Sequence, residues 1–324
     1  MKVFITGGTG FIGSHLVDFL LRRPDMDIYA LVRNPDKPRW LGGLARVHFL
    51  PGDLFSIPPL PPDIDLVFHL AGLTKAVKTE SYYTVNQKGT ASLFENLAGR
   101  KLFPKVIHLS SLAAGGPSPR EGAVRESDPP HPVSPYGESK LRAEEEARRF
   151  ARDFPVVILR VGPVYGPRDE DFLEYFKLVR KGLITSFGMR KRPLSVCYID
   201  DLVRAMDICG REDIASGEIF NIAHPRPSCW EEIGRTAAGV LGKTSVHIKI
   251  PLPIVRLAAA GSDLFQAGRG KPSVITLSKY LDAKPEGWVA DTRKAEDGIG
   301  FVAQFGLEDG LRETLRWYVG NGWL

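Results

Sequence analysis

The chain has 324 residues, 43% of them hydrophobic, which is enough apolar material for one large core or for two modules. Its 43 Lys and Arg residues against 38 Asp and Glu residues give a formal net charge of +5, which favours anionic ligands such as phosphates but is too thin an excess to predict a nucleic-acid partner. Three widely spaced cysteines (Cys197, Cys209 and Cys229) argue against a disulfide scaffold or a Cys/His metal site and favour a reduced, cytoplasmic protein.

The first half of the chain alternates short apolar runs with helical patterns. The predicted strands cover residues 3–6, 28–32, 47–52, 66–70, 106–110 and 156–161, and the predicted helices cover residues 13–22, 82–98 and 135–152. Continuously apolar strands between helices are typical of a parallel sheet that is covered on both faces. We therefore predict an α/β fold in which residues 1–166 form a Rossmann domain with a doubly wound parallel sheet.

After Gly166 this alternation weakens, although helical patterns continue near residues 172–181, 230–241 and 307–318. The apolar run at residues 219–223 predicts a strand that returns to the main sheet, within a returning segment of residues 196–224. We expect residues 167–324 to form a smaller, partly discontinuous C-terminal region that binds a small-molecule substrate.

The segment 250–266 is the most apolar part of the second half. Pro251, Pro253, Arg256 and Asp263 interrupt it, and the sequence offers no apolar run of the length that a membrane span needs. The N-terminus also lacks the long apolar stretch of a signal peptide. We expect no transmembrane segment and at most contact of this segment with a membrane surface.

A glycine-rich turn follows the first predicted strand and opens the first predicted helix. Its glycines at positions 7, 10 and 13 suit a tight turn, a close approach of backbone to a pyrophosphate, and close packing of helix on strand. The helix N-terminus would then present N–H groups to the phosphates. The predicted dinucleotide contacts in this turn are Gly7, Thr9, Gly10, Phe11, Ile12 and Gly13.

The end of the second strand bears on the choice of dinucleotide. Arg33 stands there with no acid beside it, which favours the 2′-phosphate of NADP over the free ribose of NAD. Asp36, three residues later, leaves NAD open. Asp53 and Leu54 end the third strand, where the aspartate could accept a hydrogen bond from the adenine amino group.

Tyr136 and Lys140 lie one helical turn apart, a spacing that places both side chains on one face. A lysine ammonium favours the phenolate, so it would lower the tyrosine pKa and suit it for acid/base catalysis. Ser111, at the end of the fifth strand, could hydrogen-bond the reacting oxygen. Tyr280 and Lys284 repeat the spacing but lack such a serine.

These motifs together resemble an extended short-chain dehydrogenase/reductase, the group that includes nucleotide-sugar epimerases and dehydratases, 3β-hydroxysteroid dehydrogenases and dihydroflavonol reductases. The matching stretches run nearly end to end: residues 6–13, 52–54, 69–72, 85–90, 109–111, 136–140, 160–168 and 198–202. They are specific for the superfamily and say little about the substrate.

The resemblance implies roles for further residues. Ser111 would polarise the substrate oxygen, Tyr136 would act as acid and base, and Lys140 would also hold the nicotinamide ribose. The remaining implied dinucleotide contacts are Leu70, Ala71, Gly72, Ser110, Pro163 and Val164. Relatives often dimerise through two helices per subunit, here residues 82–98 and 135–152, which implies a homodimer.

One departure from the family pattern concerns the substrate. Many nucleotide-sugar epimerases bind the sugar diphosphate with a basic residue where this chain has Leu194 or its neighbours Pro193 and Ser195, just after the basic run at residues 190–192. The loop after Ser111 is also small and apolar, and Ile250, Leu252, Ile254, Val255, Leu257 and Leu264 could wall an apolar pocket. We therefore expect an oxidoreductase acting on an alicyclic or sterol-like alcohol or ketone.

Two alternatives stay open. The first is a nucleotide-sugar epimerase or dehydratase, in which Arg168, Arg190, Arg192 or Arg269 turns into the cleft to hold the diphosphate. The second is a non-catalytic regulatory protein that keeps only the dinucleotide site, against which the intact set of Ser111, Tyr136 and Lys140 argues.

Overall fold

The computed structural model describes residues 1–119, 121–269 and 276–324, without the side chains of residues 263–269. The strands are β1 (Lys2–Thr6), β2 (Asp27–Val32), β3 (Val47–Pro51), β4 (Leu66–His69), β5 (Lys105–Ser111), β6 (Val156–Val161), β7 (Val164–Tyr165), β8 (Leu183–Phe187), β9 (Cys197–Tyr198), β10 (Glu218–Ile222) and β11 (Val246–Ile250). The helices are α1 (Phe11–Leu20), α2 (Thr79–Tyr82), α3 (Gly89–Gly99), α4 (Leu112–Gly115), α5 (Pro135–Arg149), α6 (Asp171–Arg180), α7 (Ile199–Arg211), α8 (Trp230–Val240), α9 (Leu252–Arg269), α10 (Leu277–Ala283), α11 (Arg293–Ile299) and α12 (Leu307–Gly320).

Seven strands form the central sheet in the order β3-β2-β1-β4-β5-β6-β10, and every neighbouring pair is parallel. Side chains alternate between its two faces: Val3 and Ile5 enter one core and Phe4 enters the other. Helices α1 and α7 cover the first face, while α3 and α5 cover the second. This arrangement confirms the predicted doubly wound Rossmann fold.

The second half of the chain adds smaller units around this sheet. Strand β10 joins the sheet edge beside β6, whereas β7 and β9 pair only with each other. A separate two-stranded parallel sheet joins β8 and β11. Asp201 of α7 accepts hydrogen bonds from the backbone N–H groups of Gln304 and Phe305, which ties the C-terminal part to the Rossmann core.

The predicted helix at residues 82–98 is not continuous. A π-helical segment, Tyr83–Lys88, separates α2 from α3. Such segments often occur near functional sites. Here it contains Asn86, whose side chain bonds the backbone of Leu73 and the hydroxyl of Ser139.

The cysteines and the helices bear on two further expectations, a protein without disulfides and one without a transmembrane segment. Cys197 and Cys209 are buried and all three cysteines are free. Within the described part of the chain, no helix combines the length and the apolarity needed to cross a bilayer.

Candidate active site

The turn between β1 and α1 has a shape that requires glycine. Gly7 has a φ of +77°, and a Cβ there would lie 2.7 Å from the backbone nitrogen of Ala71. A Cβ on Gly13 would lie 2.3 Å from the carbonyl oxygen of Gly7. No side chain caps α1 at Gly10. The turn therefore leaves backbone N–H groups and the positive end of a helix available to phosphate oxygens.

The other expected dinucleotide residues of this turn lie beside it. Thr9 is half-buried, and Phe11 and Ile12 lie at the start of α1 and pack against the core. Leu70, Ala71 and Gly72 leave β4 at the same edge of the sheet, where the Thr6 hydroxyl accepts the Ala71 N–H at 3.3 Å.

The ends of β2 and β3 lie at this edge too. Arg33 is exposed, and no carboxylate within the described residues pairs with it. Asp53 Oδ1 accepts the backbone N–H groups of Phe55 and Ser56 at 2.8 and 3.0 Å, so only its other oxygen is available to a ligand. Leu54 is buried, and a Cβ on Gly89 would lie 2.6 Å from its Cδ1, so its side chain serves packing.

Ser111, Tyr136 and Lys140 converge at the carboxyl ends of β4 and β5. Ser111 ends β5, and its hydroxyl is hydrogen-bonded to that of Tyr136, which lies in the first turn of α5. Lys140 Nζ donates to the carbonyl of Leu109 at 2.6 Å. A Cβ on Gly72 would lie 3.8 Å from that Nζ, so the lysine lies beneath the loop that follows β4.

Burial dominates the electrostatics of this set. It raises the pKa of Tyr136 to about 12, and the hydrogen bond from Ser111 opposes the shift. It lowers the pKa of Lys140 to about 8, and the Glu144 carboxylate opposes that shift. Desolvation is therefore the largest influence on the pKa of Tyr136, and the lowering of that pKa by Lys140 stays a prediction.

A buried ion pair one helical turn from Lys140 helps to fix the positions of Ser111, Tyr136 and Lys140. Glu144 of α5 and Arg160 of β6 join at 2.7 Å, and both side chains are almost inaccessible. Ser110 donates to the same carboxylate at 2.5 Å. This hydroxyl faces α5 and fixes it against β5, so the predicted dinucleotide contact of Ser110 would have to come from its backbone. Pro163 and Val164 follow β6, and Pro163 is open to solvent at the ligand edge.

Helix α10 brings two charged side chains, Lys279 and Asp282, close to Tyr136. Lys279 Nζ lies 5.5 Å from the centre of the tyrosine ring. Asp282, one turn later, bonds the Ser134 hydroxyl with one oxygen, while its Oδ1 and the Ser278 hydroxyl are buried without a hydrogen-bond partner. Buried polar atoms without a partner are uncommon and mark this part of α10 as a place to look for a bound group.

The basic residues considered for a diphosphate are engaged elsewhere. Arg192 Nη1 donates to the carbonyls of residues 283, 284 and 285, which end α10, and Arg190 pairs with Glu286. Arg168 pairs with Asp18. The corrected picture is that these three side chains do not line the site around Tyr136. Arg269 lies outside the described side chains.

Two expectations about an apolar pocket also change. Leu194 is buried and its backbone bridges Ser228 and Trp288, so it serves the core and does not face a ligand. Ile254 and Leu257 of α9 lie on the open surface, while Val255 is buried. Ile250 and Leu252 are half-buried, and Leu264 lies outside the described side chains.

Sequence reasoning missed the contribution of α10 and of Arg192. Tyr280 and Lys284 repeat the tyrosine–lysine spacing in the sequence. In the structure it is their neighbours Lys279 and Asp282 that lie near Tyr136. A Thr276 cap and the following Pro285 delimit the helix in the sequence, although nothing local tells which element it faces.

The sequence matches a family model described as the NAD dependent epimerase/dehydratase family over residues 3–223. A ceramide reductase from Caulobacter vibrioides is 30% identical, covering 99% of this chain and 96% of that protein. A probable dTDP-glucose 4,6-dehydratase from Sinorhizobium fredii is 28% identical, covering 100% of this chain and 94% of that protein.

Solved structures are similar over the same length. The UDP-glucuronic acid 4-epimerase from Bacillus cereus in complex with NAD has a TM-score of 0.79 and 25% identity, covering 99% of both chains. MoeE5 in complex with UDP-glucuronic acid and NAD has a TM-score of 0.78 and 26% identity, covering 99% of this chain and 100% of that one. These similarities support neither the sterol-like substrate nor the NADP preference, and they favour the nucleotide-sugar alternative.

Proposed function

Because this chain belongs to the NAD dependent epimerase/dehydratase family, we propose that it oxidises and reduces a secondary-alcohol carbon of a nucleotide-linked sugar. The observation that carries this proposal is the convergence of Ser111, Tyr136 and Lys140 beside the glycine turn, at the carboxyl edge of the sheet. Ligands of open α/β sheets bind at that edge. The substrate class rests on the UDP- and dTDP-sugar enzymes to which the chain is similar.

Each residue of the set has a distinct task in this proposal. The hydroxyl of Tyr136 gives a proton to the substrate oxygen during reduction and accepts it during oxidation. Ser111 donates a hydrogen bond to the same oxygen and holds it beside the tyrosine. A bound nicotinamide dinucleotide would supply or accept the hydride at the adjoining carbon.

Lys140 has the task of favouring the tyrosine phenolate and of holding the nicotinamide ribose. Its ammonium is already fixed by the Leu109 carbonyl, which aims it beneath the loop at Gly72. Glu144 raises the lysine pKa against the effect of burial and so helps it stay charged. The pair with Arg160 holds Glu144 in place.

The residues of the glycine turn and of β4 fit a dinucleotide. Gly7 and Gly13 leave no room for side chains, and the uncapped start of α1 offers amides to a pyrophosphate. NAD is the dinucleotide in the similar structures. The finer proposal of NADP rests on Arg33 alone, whose exposed guanidinium is available to a 2′-phosphate.

A second candidate function is the reduction of a ketone on a long-chain lipid. Leu194 is buried and Arg190 and Arg192 are engaged elsewhere, so among the described residues none of these three can pair with a sugar diphosphate, and a diphosphate left unpaired would carry a desolvation penalty. The similarity to the ceramide reductase favours this candidate independently.

Product analysis separates the two candidates. The purified protein is incubated with UDP-glucuronic acid, UDP-glucose or dTDP-glucose, and separately with a keto-ceramide and reduced dinucleotide. The nucleotide-sugar proposal expects an epimerised or dehydrated sugar without net consumption of dinucleotide. Stoichiometric loss of reduced dinucleotide with the lipid, and no change in any sugar, would replace it by the second candidate. A Tyr136→Phe variant serves as the blank in both assays.

A further inference from the structure

The small sheet of β8 and β11 carries an exposed apolar surface. Leu183 and Val246 are register partners, so their side chains share one face, and Ile248 lies two residues further along that face. Val246 is 66% exposed and Ile248 is 45% exposed. The other face carries Ile184, which is buried against α8. The sheet thus turns one apolar face to solvent.

The start of α9, which follows β11 directly in the chain, adds further exposed apolar side chains. Gly188 N–H donates to the Ile250 carbonyl at 2.8 Å, which joins the end of β8 to the residue two before α9. Met189 next to it is 63% exposed, and in α9 Ile254 and Leu257 are 57% and 76% exposed. We name as the basic apolar face the residues Leu183, Met189, Val246, Ile248, Ile254 and Leu257.

The two chain segments that carry these residues are basic. Residues 180–192 and 240–262 contain eight Lys and Arg residues and no Asp or Glu, and the next acid along the chain is Asp263. Since the whole chain carries +5, the remainder has a formal charge of −3 (5 − 8). The basic residues are Arg180, Lys181, Arg190, Lys191, Arg192, Lys243, Lys249 and Arg256.

Most of these cations lack a carboxylate partner. Lys181 and Lys243 precede β8 and β11, and Arg256 lies between Ile254 and Leu257 on α9; all three are exposed and unpaired among the described residues. Apolar side chains interleaved with unpaired cations are typical of surfaces that bind anionic lipid headgroups. A second copy of the chain fits this face poorly, because two such faces would bring like charges together.

We propose that the basic apolar face docks the protein on the surface of an anionic lipid bilayer. The exposed apolar side chains enter the boundary between headgroups and acyl chains, and the exposed, unpaired cations Lys181, Lys243 and Arg256 contact the acidic headgroups. This proposal is independent of the reaction at Tyr136 and requires no membrane-spanning helix.

Co-sedimentation with vesicles tests the proposal. The full-length protein is mixed with vesicles of equimolar phosphatidylcholine and phosphatidylserine, or of phosphatidylcholine alone. We expect binding to the acidic vesicles that weakens steeply with salt, and little binding to the neutral ones. Absence of binding to the acidic vesicles, or equal binding to both kinds, would overturn it.

Variants separate the two parts of the surface. Ile254→Gln with Leu257→Gln should lower vesicle partitioning about tenfold. Lys243→Gln with Arg256→Gln should lower it about fivefold for each cation removed. Matched controls are Val302→Gln with Val319→Gln, at residues 53% and 54% exposed elsewhere, and Arg152→Gln for charge. Circular dichroism checks that each variant folds.

The same variants test whether a second copy of the chain, and not a membrane, covers this face. If the Ile254 and Leu257 changes abolish a dimer in size-exclusion chromatography and leave vesicle binding intact, the face is a contact between copies and the proposal is wrong. Equal losses in the face variants and in their controls would also contradict it.

Discussion

Tyr136 is the residue whose removal should separate chemistry from binding. Its hydroxyl is the proton-transfer group, and its ring lies between Tyr82, at 6.0 Å between ring centres, and Lys279. We expect Tyr136→Phe to lower kcat by about a thousandfold or more, since general acid/base catalysis contributes that order. Dinucleotide affinity, measured by fluorescence titration, should stay within about twofold because the ring is kept.

The matched control for this prediction is Tyr280→Phe. Tyr280 shares the spacing to a lysine but lies on α10, away from the Ser111 hydroxyl. We expect near wild-type activity from this variant. Inactivation by the Tyr280 change with survival of the Tyr136 variant would show that the site is assigned to the wrong helix.

Arg33 decides the dinucleotide preference if the NADP proposal holds. A charge-assisted bond to the 2′-phosphate contributes about 1.5–3 kcal/mol, so NADPH should bind roughly ten- to a hundredfold more tightly than NADH. Arg33→Ala should remove that difference and leave NADH binding unchanged. Equal affinities for the two dinucleotides in the wild-type protein would leave NAD as the cofactor.

At the scale of elements, Arg192 positions α10 over the site. Its Nη1 donates to three carbonyls at the end of the helix, each at 2.6 Å, and these carbonyls would otherwise lack partners. The helix in turn holds Lys279 and Asp282 near Tyr136. We therefore interpret the basic run at residues 190–192 as support for the substrate side of the site.

If Arg192 positions α10, its replacement should weaken substrate binding and leave dinucleotide binding unchanged. Arg192→Met should raise KM for the substrate about tenfold, since a lost bond to a charged group costs about 1.5–3 kcal/mol, and should spare dinucleotide affinity. Steady-state kinetics and titration measure the two. Arg190→Met is the control, because its exposed pair with Glu286 contributes little. Comparable KM changes in both variants would refute the positioning role.

Across the whole molecule, helices α3 and α5 lie side by side on one face of the sheet, within the two segments that the family resemblance implies for a dimer contact. We propose a homodimer built on this pair. Leu141 of α5 is half-buried in the single chain. Leu141→Arg should give a monomer in light scattering, because it places a charge in the shared contact.

The control for the dimer is Val319→Arg, which changes an exposed residue of α12. It should leave the mass in solution unaltered. A wild-type protein that is monomeric at micromolar concentration would exclude the dimer. Docking of the basic apolar face on a membrane can be tested in either state, since that face lies on β8, β11 and α9.

Local sequence patterns sufficed to predict the central sheet and the glycine turn, and they pointed to Ser111, Tyr136 and Lys140 as the side chains of the proposed reaction. Buried parallel strands are continuously apolar, and a turn with Gly7, Gly10 and Gly13 at these spacings has few uses, so local pattern sufficed. Fold class and family could be predicted for the same reason, because each motif defines its local backbone geometry within a few consecutive residues.

The surroundings of Tyr136, in contrast, depend on contacts between residues far apart in the chain. Lys279 and Asp282 come from a helix about 140 residues later in the chain, and Arg192 reaches its carbonyls across about 90 residues. The directions of Leu194 and Leu257 are likewise fixed by long-range packing, which buries the first and exposes the second. Side-chain neighbours far apart in sequence leave no periodic signal, because burial is set by the whole fold.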